Sequence, residues 1–383
     1  MSDLSRIATA SLLVATVALV SMATSAKAQR FIPDILISST VPGNGDLNPY
    51  GVAFVPPNFP NGGIIASGDI LVSNFNNSTA PTGTQGTGTT IIQLTPSGVV
   101  APAGTASTFF TSSPSAIGLT TALGVLERGF VVVGNLPNSN GMLSPGSLQF
   151  IDRRGRLVGA FANSLIDGPW DLTIDDDSDH PTVYVSNVLN GTVVRLNLTL
   201  TNTTVTVNQT TKIAAGYTTQ PSSAALVLGP TGLAHDRVTD ILYVASTADN
   251  AIFAVPNASK VSPANPGTGM MIAQNGQLRG PLALAFAPNG DLITSNGDAV
   301  PSADPNHPSE IVELTKTGNF VGQFNVSSAQ GGAFGLAIAL VGPDTARLAA
   351  RRQHQRNCDY RSECRAGRLI DMARYSGSQF SAD

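Results

Sequence analysis

Apolar residues along this chain fall into short β-branched runs rather than the three-and-four spacing of an amphipathic helix. Five runs end in a small or amide residue: Ile70-Leu71-Val72-Ser73-Asn74, Val131-Val132-Val133-Gly134-Asn135, Val183-Tyr184-Val185-Ser186-Asn187, Leu242-Tyr243-Val244-Ala245-Ser246 and Leu292-Ile293-Thr294-Ser295-Asn296. Before each stands a phrase of a small residue or Pro, a variable residue, usually Gly, an aliphatic and a small residue. Its copies are Pro49-Tyr50-Gly51-Val52-Ala53, Ala116-Ile117-Gly118-Leu119-Thr120, Pro169-Trp170-Asp171-Leu172-Thr173, Pro230-Thr231-Gly232-Leu233-Ala234, Pro281-Leu282-Ala283-Leu284-Ala285 and a sixth, Ala333-Phe334-Gly335-Leu336-Ala337. A third apolar run follows at 90–94, 147–151, 193–196, 251–255 and 311–314. Three copies then turn through a Gly toward a fourth run, as in Leu314-Thr315-Lys316-Thr317-Gly318. That Gly is the residue that tolerates the positive φ of a tight hairpin.

Four short strands per copy, in six copies, predict an all-β chain: a six-bladed β-propeller of four-stranded antiparallel blades. The phrase before each run is then the innermost strand, small where strands crowd the axis. The second and third strands, sandwiched between blades, are apolar on both faces. A long sandwich or a parallel β-helix is the competing architecture, but a β-helix repeats at about twenty residues, far shorter than this period.

Composition sharpens this picture. Only 12% of the 383 residues are charged, whereas 42% are hydrophobic, enough for a core. The net charge of −4 argues against a nucleic-acid surface. At the start, Arg6 precedes an apolar run over residues 7–22, and Ala26-Lys27-Ala28 follows as a small-x-small box. This is the order of a secretory signal peptide, with cleavage expected after Ala28. The run is short and broken by Thr9, Ser11, Thr16 and Ser21, so a membrane span is not expected. The expected layout is a signal peptide over 1–28, a propeller over 29–350 and a separate tail over 351–383, in a protein secreted or periplasmic after cleavage. Between residues 29 and 350 there are 12 basic and 20 acidic residues and no cysteine.

The tail breaks the repeat. Residues 351–383 hold seven Arg, no Lys and both cysteines, Cys358 and Cys364, whose spacing fits no common zinc or redox signature. Back-translated with allowed codons and read one base later, residues 351–365 spell Val-Asp-Asn-Thr-Asn-Ala-Thr-Ala-Ile-Ile-Asp-Leu-Ser-Val, a loop and strand in the repeat's own pattern. The tail is therefore read as out of frame or disordered. The last blade is expected to be incomplete, with residues 31–37 as the strand that closes the ring on it.

Gly-x-Ala, then Gly68-Asp69-Ile70-Leu71-Val72-Ser73-Asn74, then Ile91-x-x-Leu94 and a Gly four residues on, resembles the NHL-repeat family of six-bladed propellers. The resemblance spans residues 48–350 and implies the fold. Members of that family include protein-binding modules, lyases and calcium-dependent lactonases.

Candidate chemistry is sparse. His180, His235, His307 and His354 stand in no nucleophile context, so a solvated or locally bonded role is expected of each. The acidic run Asp175-Asp176-Asp177-Ser178-Asp179 invites a calcium reading, but it lacks an EF-hand pattern and turn chemistry also explains it. Asn74, Asn135, Asn187 and Asn296 end equivalent strands, with Ser246 in the fourth copy, and so form a ring on one face. The lactonase resemblance implies that such a face holds calcium, for which Asp171, Asn187 and Asn296 are the candidate ligands. Asp298 or Asp249 lie just past strand ends, and no Glu is found at a matching point. Alternatively the amides cap the strand ends. Trp170, beside Asp171, either lines the channel mouth or packs between blades. Two functions follow: a scaffold binding a small molecule or a protein on one face, or a calcium-dependent, lactonase-like hydrolase or lyase at the axis. For a scaffold ligand the candidate residues are Asn74, Asn135, Trp170, Asp171, Asn187 and Asn296.

Overall fold

The computed structural model describes residues 34–78, 83–95, 106–223, 225–260, 262, 264–297, 310–325, 333–342, 345–352 and 368–373. Six four-stranded antiparallel sheets follow one another. Blade 1 holds Leu47–Phe54, Ile70–Asn76, Thr90–Leu94 and Ser107–Thr111, and blade 2 holds Leu119–Leu126, Phe130–Asn135, Ser147–Asp152 and Leu157–Phe161. Blade 3 is Pro169–Asp175, Thr182–Asn187, Thr192–Leu200 and Val205–Ala215; blade 4 is Pro230–Asp236, Ile241–Ser246, Ala251–Pro256 and Met270–Gln274. Blade 5 is Pro281–Phe286, Leu292–Asn296, Glu310–Leu314 and Phe320–Asn325. The first-listed strand of each touches its counterpart in the next blade, and the contacts return from the sixth blade to the first. The ring is closed, and the six-bladed propeller expected from the repeat is the fold.

Closure uses the N-terminal strand. Blade 6 runs Ala333–Gly342, Thr345–Arg352, Arg368–Ala373 and, outermost, Asp34–Ser39. The closing strand was expected from residues 31–37 and lies over 34–39. The last blade, expected to be incomplete, has four strands here, because Arg368–Ala373 fills the lane between its neighbours. A missing strand there would leave two rows of backbone N–H and C=O unpaired. The rest of the tail, with Cys358, Cys364 and His354, lies outside the described residues, as do His307 and Asp298.

Every inner strand slips register near its start: between Pro49 and Val52, Leu119 and Leu123, Pro169 and Asp171, Pro230 and Leu233, Pro281 and Leu284, and Ala333 and Leu336. This corrects one copy of the repeat. Leu119 pairs with Asn135 as Pro49 pairs with Asn74, so the second copy is Leu119-Thr120-Thr121-Ala122-Leu123 and Gly118 precedes the strand. The smallness required at the axis is direct. A Cβ on Gly51 would lie 2.7 Å from the Leu123 Cβ, and one on Gly335 would collide with the Tyr50 carbonyl oxygen.

The core sits in the seams between blades. Leu126, Phe130, Val132 and Phe150 of blade 2 pack on Leu172, Val183, Val185 and Leu196 of blade 3; Tyr184 and Val193 of blade 3 meet Leu242, Val244 and Phe253 of blade 4. Side chains of the second and third strands are therefore buried on both faces, which is why their sequences read as continuous apolar runs rather than alternations.

Candidate functional site

The strand-end amides gather on one face, as the repeat predicts, and each is nearly or wholly buried. Asn187 donates to the Leu165 carbonyl at 2.9 Å and to Thr192 Oγ1 at 3.0 Å, and its Oδ1 accepts from the Asp167 N–H at 3.0 Å. Asn296 donates to the Gln277 carbonyl at 2.8 Å and to Glu310 Oε1 at 3.1 Å, and accepts from the Arg279 N–H at 2.9 Å. Asn135 donates to Ile117 and accepts from the N–H and hydroxyl of Ser147; Asn74 donates to the Thr40 carbonyl and to Thr90 Oγ1. In all four, one side chain ties the connection entering the blade to the start of the third strand. In the fourth copy, Ser246 instead donates to Asp249 Oδ2 at 2.6 Å.

Toward the axis this face is filled by rings. Tyr50 stacks on Phe75 with centroids 4.6 Å apart, lies 5.0 Å from Phe334 and meets Trp170 edge-on at 5.6 Å; Phe75 and Trp170 are 5.5 Å apart. Leu136, Val188 and Val227 complete the cluster, so blades 1, 2, 3 and 6 and the hairpin Gln220–Ser222/Leu226–Leu228 all contribute to it. Trp170 is 1% exposed, packed within this cluster.

Asp171, next along the chain, lies in a cavity of about 50 Å³ lined by Val52, Thr121, Leu123, Leu172, Ala283, Leu284, Gly335 and Leu336, from five of the six inner strands. That is space for a few waters. Burial raises the carboxyl well above the usual carboxylate range, against the lowering effect of hydrogen bonds from the Leu172 and Leu233 amides. Asp171 thus sits among the inner strands, receiving the N–H groups of Leu172 and Leu233 near the register slips of blades 3 and 4.

The sequence reading placed no Glu on the amide face, yet Glu310 is there, 2% exposed, against Asn296. Its signal was legible: it begins a third strand where the sibling blades use the hydroxyls of Thr90, Ser147 and Thr192. The three candidate calcium ligands do not form a cation site as they stand. The amide oxygens of Asn187 and Asn296 are occupied by backbone N–H groups, and Asp171 Oδ1 accepts the Leu172 N–H. Among the described residues no group of three or more His, Cys, Asp or Glu side chains is placed to hold a metal.

The acidic run lies elsewhere, in the blade 3 turn. Asp179 pairs with Arg128 at 2.5 Å, Asp175 with Arg237 at 2.5 Å, and Asp176 accepts the Glu127 N–H. His235 is drawn into the same network, which the sequence did not suggest. Its Nδ1 is 2.9 Å from Asp175 Oδ2, its Nε2 is 3.2 Å from Asp240 Oδ1, and its ring lies 4.7 Å from that of Tyr184. Burial alone would lower this imidazole's pKa; the hydrogen bonds and charges of Asp175 and Asp240 outweigh it and raise the pKa above the usual 6.5. His180 is exposed, its Nδ1 3.3 Å from Thr199 Oγ1.

No family model matches the sequence, and no curated protein matches it. The NHL resemblance therefore remains one of repeat pattern. Solved structures do match. A gluconolactonase from Xanthomonas campestris aligns over 89% of this chain and 90% of its own, at 11% identity and a TM-score of 0.50. Regucalcin from Agrobacterium tumefaciens, described as a calcium-binding protein, aligns over 89% and 95% at 14% identity and a TM-score of 0.49. A luciferin-regenerating enzyme aligns over 91% and 100% at 10% identity and a TM-score of 0.49. At such identities the shared feature is the propeller fold.

Proposed function

We propose that this is an exported β-propeller acting as a binding scaffold, recognising a small molecule or a protein on one face. The observation behind this reading is the state of the amide face. Asn135, Asn187 and Asn296 are consumed in tying their blades together, and the axial mouth is filled by Tyr50, Phe75, Trp170 and Phe334. A buried amide with three hydrogen bonds contributes rigidity. Asn187→Ala is expected to cost about 1–3 kcal/mol in urea unfolding while leaving ligand binding by the folded protein intact. A loss of binding without a loss of stability would contradict the scaffold reading.

The gluconolactonase neighbour supports a second reading, a calcium-dependent, lactonase-like hydrolase or lyase. The feature of this chain that favours it is Asp171, a carboxyl in an axial cavity whose burial favours the protonated form, which suits it to give a proton to a leaving or carbonyl oxygen. Calcium at Asp171, Asn187 and Asn296 would first require both amides to release their backbone partners. A lactone screen with and without calcium separates the two readings: hydrolysis lost in Asp171→Asn would establish the second, and no turnover in either condition retires it.

A further inference from the structure

We propose that the rim formed by blades 1 and 2 is a docking surface for an anionic lipid bilayer, separate from the axial face and independent of which functional reading holds there. The surface is made of two segments fastened together. The Ile64 N–H bonds the Arg153 carbonyl at 2.9 Å, and Arg154 Nε donates to the Gly62 carbonyl at 3.2 Å. The approach is close enough that a Cβ on Gly63 would strike the backbone of Arg153, so the loop over residues 55–68 and the turn over 152–156 form one continuous surface.

Its composition is unlike the rest of the propeller. Arg153, Arg154 and Arg156 stand within four positions of a region where acids outnumber bases, and the facing loop over 55–68 carries no charged residue. None of the three has a carboxylate ion partner among the described residues; the nearby Asp152 spends Oδ1 on the N–H groups of Arg154 and Arg156. Arg153 is half-buried, its Nη1 3.3 Å from where a Cβ on Gly129 would lie, whereas Arg154 and Arg156 are exposed. Large apolar side chains stand exposed beside these arginines: Ile64 at 53%, Leu157 at 49% and Val158 at 40%. Ile64 Cδ1 would lie 3.4 Å from a Cβ on Gly155, so the apolar and basic groups share one edge.

A soluble acidic partner would be matched by the arginines alone and gives no reason to leave three aliphatic side chains in water. A bilayer interface accounts for both: anionic headgroups pair with the guanidinium groups, and the aliphatic side chains enter the headgroup boundary. The chain's acidic remainder is screened beyond about 8 Å at physiological salt, so local contact dominates.

The test is co-sedimentation of the full chain with vesicles of phosphatidylglycerol and phosphatidylcholine, against vesicles of phosphatidylcholine alone, at about 0.15 M salt. Phosphatidylglycerol-dependent binding is expected, reduced roughly tenfold or more in R154E/R156E and also weakened in I64S/L157S. The same I64S/L157S chain should bind a soluble polyanion such as heparin as wild type does. No phosphatidylglycerol dependence, or unchanged vesicle binding in R154E/R156E, overturns the proposal. Vesicle binding indifferent to I64S/L157S points to an acidic polymer instead, and overturns it too. Melting curves of both variants verify that each is folded.

Discussion

At the scale of single residues, the same side-chain types serve opposite ends according to what surrounds them. The asparagines at strand ends are where the sequence places a calcium face, and the geometry gives the side chains of Asn135, Asn187 and Asn296 to backbone groups and to the first residue of the third strand. His235, which the sequence left as a locally bonded histidine, is 3% exposed at the side chain and sits between two carboxylates on the seam of blades 3 and 4. A neutral imidazole can donate to only one of them, so the seam favours the imidazolium. Since its folded pKa lies above the unfolded value of about 6.5, this stabilisation is fully present below that value and is lost as pH rises through the folded pKa. The wild-type melting temperature should fall from pH 6 toward pH 9, and in His235→Gln this slope should flatten. Parallel melting curves over that range would show the imidazole to be unlinked to the seam.

At the scale of the strand, the blades are joined by a hydroxyl relay that alternates. Ser73, Ser186 and Ser295, each one residue before the strand-end Asn, donate to the inner strand of the next blade at Thr120, Thr231 and Phe334. Each also accepts the N–H of its own blade's slipped inner strand, at Gly51, Asp171 and Ala283. Blades 2 and 4 carry Gly134 and Ala245 at that position, and there the hydroxyl comes from the inner strand: Thr120 to the Pro169 carbonyl, and Thr231 to that of Pro281. Ser186→Ala therefore leaves two buried backbone groups short of a partner and should cost about 1–3 kcal/mol in urea unfolding; a loss under about half a kcal/mol would mean that the relay carries no stability. This alternation could not be read from the sequence, because Ser, Gly and Ala look equally small there. The second inner strand was misplaced by three residues for a similar reason. Both Ala116-Ile117-Gly118-Leu119 and Leu119-Thr120-Thr121-Ala122 satisfy the same loose phrase, and only pairing with Asn135 decides between them.

At the scale of the whole molecule, fold and closure were legible because they are written in period and composition: six copies, Gly at the axis, and an N-terminal strand with no partner of its own. The axial site was legible only as positions. Whether an amide faces a ligand or a carbonyl depends on connections such as those at Leu165 and Gln277, which share no pattern. Removing residues 29–39 uncovers the edge of Arg368–Ala373, and the shortened chain is expected to melt lower and to aggregate; an unchanged melting curve would deny that this strand closes the ring. The most direct test of the central claim, that the amide face is a structural brace and not a cation site, is calorimetric titration of the intact chain with calcium. A trace equal to the buffer dilution heat is predicted; saturable uptake near one ion per chain, abolished by Asp171→Asn, would contradict it.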